Sequence, residues 1–125
     1  MKANPFETFA AEFEIRPFNQ DFKTTITDFF NAVVKSILSY QPEFVGHLKG
    51  FCKGQGSDYF QISFVSIQTG VQVNGHWNHN PDSARLTLNL IVLGIEQSRI
   101  QEILNEIVLR DNFKRTFSYS KLVML

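Results

Sequence analysis

The stretch Asn74-Gly75-His76-Trp77-Asn78-His79 holds the densest group of side chains in this chain that could do chemistry. His76 and His79 form a His-x-x-His pair, a spacing at which zinc ligands occur. On a strand, residues three apart point to opposite faces, which splits the pair. Cys52 is the only cysteine, and strand alternation sends it towards the core. With no fourth ligand in reach, no metal is expected. The stretch reads instead as the end of a hairpin.

A second constellation is Lys49, Ser63 and His76. A serine beside a histidine is a nucleophile beside its base, and a lysine can polarise or orient. No acid accompanies this histidine to hold its tautomer, and the chain has no Gly-x-Ser-x-Gly elbow. A small enzyme or ligand-binding protein with its site around Lys49, Ser63 and His76 is therefore the alternative reading, and no catalytic residue is assigned. The Gly-rich run from Lys49 to Gly56 lacks the Gly-Lys-Ser/Thr ending of a phosphate loop and leads into a strand. Phe51 and Tyr59, with Lys49, Lys53 and Arg85, are the residue types of an RNA-binding sheet. The formal net charge of zero argues against nucleic acid.

These groups need elements to place them. Phe9, Ala11, Phe13 and Ile15 alternate with polar neighbours, which predicts a strand near 9–16. Asn4-Pro5-Phe6-Glu7 has the form of a helix start before it. Phe22, Ile26, Phe29, Phe30, Val33, Ile37 and Leu38 form one stripe and predict a helix over 20–40, with Asn19 as cap, Asp21 in its first turn and Pro42 as its stop. Residues 44–93 show four period-two stretches separated by turn-forming residues. A second helix is predicted over 95–109, with Ile100, Ile103, Leu104 and Ile107 on its apolar face. The tail from Arg110 onward leaves a last strand and a swapped arm both open.

Turn chemistry suggests a register. A turn at Asn80-Pro81-Asp82-Ser83 places Trp77 opposite Leu86 and Val73 opposite Leu90. A two-residue turn at Thr69-Gly70 places Phe64 opposite Gly75 and Ile62 opposite Trp77. The Gly54–Asp58 connection places Leu48 opposite Phe64 and Gly50 opposite Ile62. All three agree on one buried face that includes Trp77. The other face then puts Lys49, Ser63, His76 and Thr87 in one row, with Arg85 nearby. Asp58 and Asp82 are the only acids between residues 44 and 94, and both sit in turns, so this face is expected to be free of acid.

The expected fold is α+β: a mainly antiparallel sheet in the order β-α-β-β-β-β-α, with two helices packed on one face, in a single domain of 125 residues. Hydrophobic residues make up 43% of the chain and charged residues 19%, enough to bury a core. Thirteen Phe point to an aromatic core. A lone cysteine suits a reducing, cytoplasmic compartment. No signal-peptide pattern or membrane-length apolar run is present. The expected function is a small module that self-associates, as a dimer, or binds a partner or small anionic ligand through the acid-free face. Lys49, Ser63, His76 and Arg85 are the ligand-binding candidates. No cofactor is expected.

Overall fold

The computed structural model describes residues 6–16, 22–54, 56–77 and 83–124. Asn4 and Pro5 of the expected helix start, the cap at Asn19 with Asp21, and His79 with most of its turn lie outside the described residues, while Phe6 and Glu7 of that start are strand, not helix.

The chain is an α+β fold in the expected order, completed by a last strand. Its elements are β1 (Phe6–Ile15), α1 (Phe22–Tyr40), β2 (Gly46–Lys53), β3 (Tyr59–Phe64), β4 (Val71–His76), β5 (Ala84–Leu93), α2 (Gln97–Val108) and β6 (Phe117–Met124). The strands form one antiparallel sheet in the order β4-β3-β2-β5-β1-β6. The tail is thus a strand of this chain's own sheet, paired with β1.

Helix α1 buries the expected stripe, Phe22, Ile26, Phe29, Phe30, Val33 and Ile37. Helix α2 buries Ile100, Leu104 and Ile107. The helices touch each other; α1 reaches β3, and α2 reaches β1 and β6. Beneath them the inner residues of β1, β2, β3 and β5 are buried without exception from Phe9 to Ile15, Leu48 to Cys52, Phe60 to Phe64 and Leu86 to Val92. Removing such side chains from water is worth roughly 1.5–3 kcal/mol each. Phe29 sits where the two layers lock. Its ring stacks on Phe117 at 4.0 Å and meets Phe13 and Phe113 edge-on at 5.2 and 5.4 Å.

The β2–β3 hairpin has the expected register, with Leu48 opposite Phe64 and Gly50 opposite Ile62. The next hairpin differs. Phe64 meets Val71 and Ile62 meets Val73, four residues before the partners the two-residue turn predicted. Ser66 makes the turn wider. Its carbonyl accepts from the Gly70 N–H at 2.9 Å, its hydroxyl accepts from the Thr69 N–H at 3.3 Å, and Gly70 closes the turn at a φ of 65°. The shift is even, so β4 keeps its faces.

The third expected pairing is overturned. β4 does not pair with β5; β5 lies between β2 and β1. The four strands β2 to β5 form a Greek key, in which the fourth returns beside the first, and not a meander. Burial supplies the reason. β5 carries Leu86, Leu88, Leu90 and Val92 inward, and its ten residues match the ten of β1. β4 offers only Val71, Val73 and Gly75 inward, and Val73 is 42% exposed. A weakly apolar strand suits the edge, and a long, strongly apolar one the centre. Trp77 therefore does not face Ile62 and Leu86. It is half-buried at the sheet's end, its ring 5.7 Å from that of Phe22. A Cβ on Gly54 would come within 2.7 Å of the Trp77 ring, so the glycine makes room for it.

Candidate binding site on the open sheet face

Both helices cover the inner face, and the strand period turns every second side chain of β2 to β5 the other way. The pairings assemble these outer residues into a lattice of three rows. Across β4, β3, β2 and β5 the first row is Gln72, Ser63, Lys49, Asn89. The second is Asn74, Gln61, Phe51, Thr87. The third is His76, Tyr59, Lys53, Arg85.

The four expected ligand-binding residues share this face but not one row. Lys49 and Ser63 are direct neighbours in the first row, and Lys53 separates Arg85 from Tyr59 and His76 in the third. The β3–β4 register sets Ser63 beside Gln72 and leaves His76 four residues along the strand, roughly 13 Å away. A Ser63–His76 nucleophile pair is not formed. Lys53, which alternation from Lys49 places on this face, proves central to the third row.

The expected absence of acid holds across β2 to β5 and fails beyond. β1 lies against β5 and sets Glu12 opposite Thr87 and Glu14 opposite Arg85. The Arg85 Nε stands 4.0 Å from the Glu12 carboxylate. The face therefore has a basic part, running down β2 with Arg85 at its flank, and an acidic border on β1. Lys49 and Lys53 form no ion pair among the described residues. Over the first two rows the surface is concave, a groove of about 800 Å³ lined by Lys49, Phe51, Gln61, Ser63, Gln72, Asn74 and Asn89. Phe51 and Tyr59 are 40% and 38% exposed.

Two other concavities hold cations, several of them paired with acids. A groove of about 570 Å³ beside α1 includes Asp28, Lys35 and Arg110. There Arg110 pairs with Glu106 at 2.9 Å. A smaller one, about 330 Å³, includes Arg16 and Lys114. Arg16 pairs with Glu14 at 2.7 Å and Lys114 with Asp111 at 3.1 Å.

Cys52 faces the core between Phe60 and Leu86 and is fully buried. Burial pushes its thiol up to about 12, and a hydrogen bond from the Arg85 backbone offsets part of this. At neutral pH it is a protonated core residue, which is not the state a nucleophile needs. Among the described residues no group of three or more His, Cys, Asp or Glu could hold a metal ion. None of the described helices is long and apolar enough to cross a membrane.

No protein-family model matches the chain, and no curated protein matches it significantly. Among solved structures it is similar to the Zn(II)-bound YjiA GTPase from E. coli, with a TM-score of 0.47 and 12% identity, over 83% of this chain and 30% of that one. A Zn(II)-bound triple mutant of the same GTPase aligns over the same shares with a TM-score of 0.46 and 12% identity. The chain thus spans about a third of the length of those structures, and a likeness at this level carries no argument about function.

Proposed function

We propose that this domain is a binding module that takes an anionic ligand or partner on its open sheet face, through Lys49, Ser63, His76 and Arg85 together with Lys53. The observation that carries this reading is the β2 strip. Lys49 and Lys53 stand on one face of one strand with Arg85 beside Lys53, and β2 to β5 bring no carboxylate to that face. Lys49 over the groove and Lys53 beyond it, with no carboxylate of β2 to β5 beside them on this face, attract and hold negative charge. Ser63 and the side-chain amides around the groove add neutral hydrogen-bond donors. Binding rather than catalysis fits the separation of Ser63 from His76.

Titration with inorganic pyrophosphate at low salt tests the reading. Binding is expected to weaken by about 10- to 150-fold for Lys49→Ala or Lys53→Ala, the loss of one hydrogen bond to a charged group, and to fall as salt screens the face. Wild-type affinity in both variants would sink it. The competing occupant is a second copy of the chain, favoured by Phe51 at 40% and Val65 at 56% exposure. In that case light scattering gives a dimer mass, and Phe51→Lys returns it to the monomer.

A further inference from the structure

We propose that the anion taken by this face is the backbone of a single-stranded nucleic acid, with Phe51 and Tyr59 stacking on bases and Lys49, Lys53 and Arg85 on phosphates; this rests on the reading of the face as an anion site. The register supplies the argument. Along β2 the outer residues run Lys49, Phe51, Lys53: cation, ring, cation. Tyr59 pairs with Lys53 and so lies diagonal to Phe51, about 7–8 Å away between backbones. Two exposed rings at that spacing, bracketed by three cations, present a stacking surface beside phosphate partners, the combination with which single strands are held.

A lone phosphate needs the cations and leaves both rings without a purpose. A duplex hides its base faces, so the rings would gain nothing from it. A single strand uses both sets. Gln61 and Asn74, in the row of Phe51, add amide donors and acceptors of the kind that meet base edges. The neutral total charge, which argued against nucleic acid from composition, hides a local separation. Asp58, beside Tyr59, is buried, and the acids that border the strip on the open face are Glu12 and Glu14 on β1, beyond β5. They border the basic strip on one side and direct a bound strand along β2 and β3.

Fluorescence anisotropy with labelled oligouridylate and oligodeoxythymidylate of about ten nucleotides, inside the site size of single-strand surfaces, tests this on the full chain. Saturable binding is expected, with a slope of log K on log salt of about −2 for three phosphate contacts. Phe51→Ala and Tyr59→Ala should each weaken oligonucleotide binding by about 5- to 150-fold, a larger factor than either variant shows with pyrophosphate. Lys53→Ala should weaken both. Because Phe51 and Tyr59 are exposed, circular dichroism of these variants should match the parent. Pyrophosphate binding without tighter oligonucleotide binding overturns the nucleic-acid proposal and leaves the anion site standing. A duplex that binds as well as the single strand, or ring variants with parental affinity, overturns it too. Binding of neither ligand removes both readings.

Discussion

Phe29→Ala is expected to lower the free energy of unfolding by about 3–5 kcal/mol, the cost of deleting a buried aromatic ring. Phe29 is fully buried, and its ring touches those of Phe13 from β1, of Phe113 from the segment before β6, and of Phe117 at the start of β6. Removing it leaves a cavity between helix and sheet that its three ring partners cannot all collapse into. The aromatic pair energies, about 0.5–1.5 kcal/mol each beyond area burial, are lost with it. Domains of this size are stable by about 5–15 kcal/mol, so the variant stands near the edge of folding at 37 °C. Urea unfolding measures the loss. Phe51→Ala, on the open face, is the internal control and should stay within about 0.5 kcal/mol of the parent. Equal costs at the two positions would contradict the assignment of faces.

Gly46→Ala is expected to cost about 3 kcal/mol or more. Gly46 opens β2 with a φ of 140°, a conformation that costs a side-chain-bearing residue about 1–3 kcal/mol. An added Cβ would also run into the Ile91 carbonyl, which belongs to the backbone of β5 and has little freedom to yield. The strand start would have to lift away from β5, and β2 carries Lys49, Phe51 and Lys53. The same substitution at Gly56, whose φ is 61° with open space around it, has only the backbone term to meet, about 1–2 kcal/mol. Thermal unfolding should rank Gly46→Ala well below Gly56→Ala. A reversed order would mean that β2 does not start as described.

What the sequence made legible was whatever depends on period alone. The α1 stripe, the α2 stripe and the inward residues of β1, β2, β3 and β5 follow from spacing, because one face of each element must be buried. The β2–β3 register was readable because a short connection leaves few ways to pair. The place of β5 was not, since strand order depends on comparing how much apolar surface each strand must hide. The signal was present in the weak inner face of β4, Val71, Val73 and Gly75, set against Leu86, Leu88, Leu90 and Val92 of β5. Missing it carried two consequences: Trp77 was set opposite Leu86, and Glu12 and Glu14 were left out of the face; His76 was set beside Ser63 by the two-residue turn instead. The width of the Ser66–Gly70 turn rests on a serine hydroxyl hydrogen bond, which turn composition does not distinguish from a tighter hairpin.

The central claim is that negative charge binds on the open face of β2, β3 and β5. Backbone chemical-shift mapping during a pyrophosphate titration tests it residue by residue. The amides of Lys49, Phe51, Lys53, Tyr59, Ser63 and Arg85 are expected to move together along one saturable curve, with those of Asp28, Lys35 and Arg110 beside α1 unmoved. Shifts confined to the α1 groove, or none along β2, would contradict the account.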